Sequence, residues 1–267
     1  MTRARAGQHF LTDRNLLQKI VSGLDPNPND VVLEIGAGRG ALTDVVAPHV
    51  FRVIAVEADR RLAFELGARN AERGTSNVRV VEGDALKLDW HSMLDSSAEV
   101  PRFKILGNIP YYITSPLIEK ALTPPLPSRI VFLVQREVAE RLAATPGSRA
   151  YGALSVGVQA MAQVEQLFVI SAGAFQPPPR VDSMVVRITP RADPLVAPED
   201  VPAFRAFVTA CFSQRRKQLR NTVAAALGRP ASVAGTLLGG LGLDPTARPE
   251  TLAPVQFARL LRAGSGL

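Results

Sequence analysis

Five short apolar runs punctuate the first half of the chain: VVLEIG (31–36), RVIAVE (52–57), VRVVEG (78–83), FKILGN (103–108) and RIVFLV (129–134). Each is nearly continuous rather than alternating, which is the pattern of a strand buried on both faces, and helix-length segments separate them. Their order predicts a parallel sheet covered by helices on both sides. Two more runs, EQLFVIS (165–171) and SMVVRIT (183–189), are joined by the proline-rich AFQPPPRVD, which is too stiff for a crossover helix. Those two are expected to pair antiparallel at one edge. Ahead of the first strand, Leu16, Leu17, Ile20, Val21 and Leu24 share one helical face, with Thr12 or Asp13 placed to cap it. Four prolines and mixed charges interrupt the pattern over 189–202 and mark a linker at 191–201. Beyond it Phe204, Phe207, Val208, Cys211 and Phe212 fall at helical spacing, and glycine-punctuated helical segments follow to the end.

At 267 residues and 46% hydrophobic composition, the chain can bury the core of one large domain or of a large and a small one. A formal charge of +7 favours a polyanionic partner, nucleic acid ahead of a membrane surface. No stretch approaches a membrane-spanning helix, and the N-terminal MTRARAGQHF lacks the apolar segment of a signal peptide, so the expected location is the cytoplasm. The one cysteine, Cys211, excludes an internal disulfide and reads as core. Histidines at 9, 49 and 91 have no metal-ligand spacing, and no metal is assigned.

EIGAGRGALT (34–43) follows the first strand and opens a helix; its glycines let the backbone turn sharply and approach a ligand. Gly36, Gly38 and Ala41 also satisfy the dinucleotide pattern GxGxxG/A, and Glu57 lies 21 residues beyond Gly36, so a nicotinamide dehydrogenase competes at this point. Later strand ends separate the two readings. Glu57 ends the second strand, Asp84 follows the third and Asn108 ends the fourth, all where open α/β sheets bind ligands. One carboxylate can grip a ribose diol and another can accept from an adenine amine. That layout suits S-adenosylmethionine, a nucleoside with an amino acid and no pyrophosphate. The plainer role for Asp84 is to cap the next helix.

The stretch KILGNIPYYITSPL (104–117) supplies the second half of the chemistry. An exocyclic ring amine is a poor nucleophile because its lone pair is delocalised. The Asn108 side-chain oxygen and the Ile109 carbonyl are both acceptors, and together they can bind its two N–H groups and favour a more tetrahedral nitrogen. Pro110 would fix the turn, and Tyr111 would stack on a base drawn out of its RNA context. The competing view is an ordinary turn with Tyr111 and Tyr112 in the core.

In these blocks, and in GQHFL (7–11), VEAD (56–59), GDAL (83–86), LVQREVAERL (133–142), YGALSV (151–156), FQPPPRVDS (175–183) and FSQRRKQLRN (212–221), the chain resembles the ribosomal RNA adenine dimethyltransferase family from about residue 5 onward. The resemblance implies an α/β fold: a seven-strand Rossmann-like class I methyltransferase domain over 1–190 carrying an N-terminal basic arm, and a small α-helical RNA-contacting domain over 202–267. It implies S-adenosylmethionine as donor, with contacts from His9, Leu11, Gly36, Glu57, Asp84 and Asn108, and catalysis by Asn108, Ile109, Pro110 and Tyr111. His9 stands where relatives commonly carry asparagine. Tyr112 is given no role, and Phe175 either walls the base pocket or belongs to the core.

Two branches of the family are distinguished. The Asn108-Ile109 spelling leans toward erythromycin-resistance methylases of large-subunit RNA. YGALSV, FQPPPRVDS and FSQRRKQLRN resemble the small-subunit branch more closely and carry more weight. The expected substrate is therefore a pair of adjacent adenosines in a hairpin near the 3′ end of small-subunit rRNA, met by a monomer in an assembling subunit. Arg215, Arg216, Lys217 and Arg220, with Arg3 and Arg5, are expected to meet phosphates, against the alternative of a solvated face. TPGSRAYG (145–152) reads as a flexible loop at the RNA. A non-catalytic assembly factor is the remaining alternative.

Overall fold

The structure is a computed structural model and describes residues 8–94, 103–214 and 216–265. In chain order the elements are β1 (Phe10–Leu11), α1 (Arg14–Leu24), β2 (Val31–Ile35), α2 (Ala41–Val46), β3 (Arg52–Glu57), α3 (Arg60–Glu72), β4 (Val78–Glu82), α4 (Trp90–Met93), β5 (Phe103–Asn108), α5 (Thr114–Ala121), β6 (Arg129–Gln135) and α6 (Arg136–Leu142). There follow α7 (Ala153–Gln159), β7 (Ala162–Ile170), β8 (Phe175–Gln176), β9 (Ser183–Pro190), α8 (Val201–Phe212), α9 (Leu219–Leu227), α10 (Ala231–Gly240) and α11 (Pro254–Ser265).

Seven strands form one sheet in the order β4-β3-β2-β5-β6-β9-β7. β4, β3, β2, β5 and β6 run parallel, and β9 lies antiparallel to β6. β2 is buried at every residue and β3 and β5 nearly so, which is why their sequences are apolar without alternation; β4, at the edge, is only partly covered. The two late runs are neighbours as expected, but β9 inserts between β6 and β7. β8, inside the proline-rich connection, pairs antiparallel with β1. Two-residue strands carry no periodicity, so this small sheet left no trace in the pattern.

The chain proceeds outward from β2 through β3 to β4, then returns to β5 on the other side of β2. The β2/β5 border is therefore the place where the winding reverses, and a crevice opens there beyond the strands' carboxyl ends. Close approach of these two strands depends on Gly107: a Cβ built there would stand 2.6 Å from the Ile35 carbonyl oxygen. α1 covers one face with Leu17, Ile20, Val21 and Leu24, its N-terminus capped by Asp13, which accepts from the Asn15 and Leu16 N–H groups.

Contacts divide the chain into two compact units. One comprises the residues up to Ala139 together with Val164–Pro190; the other comprises Glu140–Gln163 and the residues from Arg191 on. The expectation of a methyltransferase domain running unbroken to 190 thus differs from the contacts at 140–163. Tyr151 explains the difference. Its ring is fully buried, meets Phe212 of α8 edge-on with centroids 6.1 Å apart, and its hydroxyl donates to the Leu252 carbonyl at 2.7 Å. The 145–152 segment is likewise anchored in the second unit, with the Gly147 N–H bonded to the Glu250 carbonyl at 2.7 Å. Cys211 is completely buried there, and burial pushes its thiol up to about 12, as suits a core residue.

Candidate active site

The loop after β2 turns through Gly36, Gly38 and Gly40, whose φ angles are +74°, +55° and +78°. Gly40 is doubly constrained, because a Cβ would also lie 2.4 Å from both Leu66 and the Arg69 guanidinium. Gly36 and Ala37 donate to the Val56 carbonyl, and the Gly38 N–H donates to Glu57 Oε2 at 2.7 Å. Glu57 is buried at the end of β3; its Oε1 accepts from the Asp59 N–H at 2.8 Å. Each oxygen thus takes one backbone donor and keeps a lone pair. The carboxylate is aimed before any ligand arrives.

A cavity of about 480 Å³ lies over this loop, and every expected cofactor residue lines it: His9, Leu11, Gly36, Glu57, Asp84 and Asn108. Asp84 does not cap the next helix, since α4 is capped by Asp89, which accepts from the His91 and Ser92 N–H groups. Asp84 Oδ1 accepts from the Leu86 N–H at 2.9 Å, closing the turn after β4, while the residue faces the cavity. Glu34, to which no role was assigned, also lines it. The Thr43 hydroxyl donates to Glu34 Oε2 at 2.5 Å, yet burial, with the nearby Asp44 and Glu57, raises its carboxyl to about 8. Glu34 is therefore a neutral acid near pH 7.

Asn108 ends β5. Its Nδ2 donates to the His9 carbonyl at 3.0 Å, and since a carbonyl only accepts, this bond fixes the amide orientation and leaves Oδ1 as an open acceptor. Ile109 is buried, and the turn after it closes at Pro110, whose carbonyl accepts from the Ile113 N–H at 3.2 Å. The Ile109 carbonyl takes no bond from that turn. Tyr111 is held on two sides. Its hydroxyl shares a 2.7 Å hydrogen bond with the Ser183 hydroxyl, and its ring stacks on His9 with centroids 5.9 Å apart and planes 26° apart. Burial raises its phenol above the ordinary value despite the Ser183 bond, so the ring is uncharged.

His9 is held in turn by Nδ1, which donates to the Pro177 carbonyl at 2.8 Å. Sequence reasoning had the residue without this use of it: the His9 carbonyl orients Asn108 and its ring backs Tyr111. Ser183 was missed as well, since nothing in its spacing points 72 residues back to Tyr111. Phe175 resolves as core, buried beside Leu11 and absent from the cavity wall. Arg216, Lys217 and Arg220 are exposed in the turn before α9 and its first turn. Arg3, Arg5 and Arg215 lie outside the described residues.

The donor set discriminates between ligands. Among the described residues Glu57, Asp59 and Asp84 line the cavity against a single guanidinium, that of Arg39, which sits 4.7 Å over the Phe10 ring. Such a lining favours a cation and disfavours a pyrophosphate. It fits a sulfonium nucleoside, which carries a positive charge and no pyrophosphate.

A model of the ribosomal RNA adenine dimethylase family matches residues 1–235. The chain belongs to the ribosomal RNA adenine dimethylase family. It is 40% identical over 266 residues to a ribosomal RNA small subunit methyltransferase A from Moorella thermoacetica, covering 97% of this chain and 91% of that one. With its namesake from Syntrophotalea carbinolica it shares 42% identity over 260 residues, covering 97% and 95%. Among solved structures, a dimethyladenosine transferase from Plasmodium falciparum superposes with a TM-score of 0.82 at 29% identity, covering 95% of this chain and 96% of that one. The 23S rRNA methyltransferase ErmE superposes with a TM-score of 0.72 at 26% identity, covering 96% and 99%. The fold is thus the expected class I methyltransferase sheet with a helical C-terminal region, and the family's methyl donor is S-adenosylmethionine. Membership removes the dehydrogenase from consideration. Among the described residues no helix is long and apolar enough to cross a membrane.

Proposed function

We propose that this dimethylase places two methyl groups on each of two adjacent adenosines in a hairpin near the 3′ end of small-subunit rRNA, acting as a monomer on an assembling subunit in the cytoplasm. The names and identity levels of the Moorella and Syntrophotalea relatives support the small-subunit target over the large-subunit one that ErmE's name carries. The single observation that supports the chemistry is the Asn108 amide, whose Nδ2 is committed to the His9 carbonyl, which leaves Oδ1 as the acceptor for an adenine amine.

Bound S-adenosylmethionine supplies an electrophilic methyl group. Glu57 would hold its ribose diol with the lone pairs that the Gly38 and Asp59 N–H groups leave over, Asp84 would accept from its adenine amine, and His9, Leu11 and Gly36 would shape the cavity around it. In the first transfer Asn108 Oδ1 and the Ile109 carbonyl accept the two N–H groups of the target amine, which localises its lone pair; in the second, one of them accepts the single N–H that remains. Pro110 keeps the two acceptors in register. Tyr111 stacks on the extruded base with the face that His9 leaves open, and the apolar walls exclude water. No strong base is needed, because the nitrogen becomes acidic only as the new bond forms.

Arg216, Lys217 and Arg220, with Arg215, Arg3 and Arg5, are assigned to RNA phosphates. Arg216, Lys217 and Arg220 are placed to suit that role. They sit at the positive end of the α9 dipole, where cations are unfavourable, and none pairs with an acid among the described residues. Phosphates would offset that cost. Calorimetry and single-turnover transfer test the site together: Asn108→Ala and Tyr111→Ala should each reduce transfer by about a hundredfold or more, and Tyr111→Ala should still bind S-adenosylmethionine. Normal transfer by Tyr111→Ala would rule out stacking.

A further inference from the structure

The stretch that builds the acceptors also presents an aromatic ring that they do not use. Tyr112 is 79% exposed, the most exposed large hydrophobic side chain among the described residues, where Phe64 and Phe51 follow at 76% and 59%. Unlike those two, it lines the cavity. The turn does not need its side chain: Ile113 N–H closes on the Pro110 carbonyl, and the buried Thr114 hydroxyl bonds the Tyr111 carbonyl at 3.1 Å. An amphipathic ring held in water at the rim, on a backbone stiffened by Pro110, costs little ordering when another π surface arrives.

We propose that Tyr112 is a stacking platform for the nucleotide next to the one in the cavity. This rests on the proposed RNA-adenine reading of the site. A base extruded against Tyr111 stays joined to its neighbour by one phosphodiester, and that neighbour is left at the mouth. Tyr111 and Tyr112 both line the cavity, and Tyr112 is the one exposed to solvent, so its ring is the aromatic surface available to a nucleotide left outside. Stacking on an aromatic side chain tolerates any base, so the ring can hold either of two adjacent adenosines while the other occupies the cavity. The positioning role is then to keep the strand engaged between the two sets of transfers.

Undermodified small subunits, labelled S-adenosylmethionine and the variants Tyr112→Ala and Tyr112→Phe provide the test. Tyr112→Ala should raise KM for the subunit roughly tenfold, with a smaller fall in kcat and an accumulation of rRNA dimethylated at only one of the two positions. Tyr112→Phe should stay within about twofold of wild type, because the ring stacks and the hydroxyl does not. Calorimetric affinity for S-adenosylmethionine should be the same in all three. An unchanged KM in Tyr112→Ala, equal losses in Ala and Phe, or weakened cofactor binding would each overturn the platform. Should wild type methylate large and not small subunits, the small-subunit reading fails instead, and the same Ala and Phe comparison on large subunits decides the platform.

Discussion

At the scale of single residues, the site is a set of groups each already committed to one partner and open on one side. Asn108 gives its N–H to His9 and keeps its oxygen, Glu57 gives one lone pair per oxygen to backbone and keeps the rest, and Tyr111 is pinned by Ser183 and His9. Ser183→Ala should therefore slow transfer about tenfold without weakening S-adenosylmethionine binding, because it releases the ring and leaves the cofactor wall intact. Glu34 gives a pH prediction. In the folded chain it keeps its proton up to about 8, whereas an unfolded glutamate loses it near 4.5. The folded state binds the extra proton between those values, so this group's contribution to stability falls as pH rises from 4.5 to 8. Glu34→Gln keeps an acceptor for Thr43 and removes that slope. Denaturation at pH 5 and pH 8 should show the variant gaining on wild type by on the order of 1–3 kcal/mol at the higher pH. The acids and the Asn-Ile-Pro-Tyr turn were legible in the sequence because each ends a strand and their order follows the winding of the sheet. Ser183 and the His9 carbonyl were not, since each reaches its partner across 72 and 99 residues respectively and a hydrogen bond leaves no local pattern.

At the scale of elements, continuous apolar runs sufficed for β2, β3, β5 and β6 because both faces are covered, and β4 was found by the same kind of run although it lies at the edge and is only partly covered. The same criterion recovered β7 and β9 but not their places: a run of Val and Ile does not say which strand it joins, and β9 pairs with β6 through six registered residue pairs. β1 and β8 escaped for lack of length, although they hold His9 beside Pro177. The most exacting contact between elements is at Gly107, where β5 passes β2 with no space for a methyl group. Gly107→Ala should destabilise the protein by about 1–3 kcal/mol in chemical denaturation, and should lower transfer more than stability alone accounts for, since Asn108 is the next residue.

At the scale of the whole molecule, the sequence divided the chain at its proline-rich linker, and the structure returns 140–163 to the C-terminal unit through the buried Tyr151. Periodicity locates linkers but not the destination of a single ring, so this was invisible along the chain. The basic residues ahead of α9 were visible, and their role is an electrostatic matter. Replacing Arg216, Lys217 and Arg220 together by alanine should weaken binding to undermodified small subunits and reduce the slope of log K against log salt by about 2; an unchanged slope would return them to the solvated surface. The central claim concerns the product. Undermodified small and large subunits incubated with this protein and methyl-labelled S-adenosylmethionine, followed by digestion of the rRNA and identification of the labelled nucleoside, test it most directly. The account predicts N6,N6-dimethyladenosine at two adjacent positions near the 3′ end of small-subunit rRNA. Label in large-subunit rRNA, a different labelled nucleoside, or no transfer would contradict it.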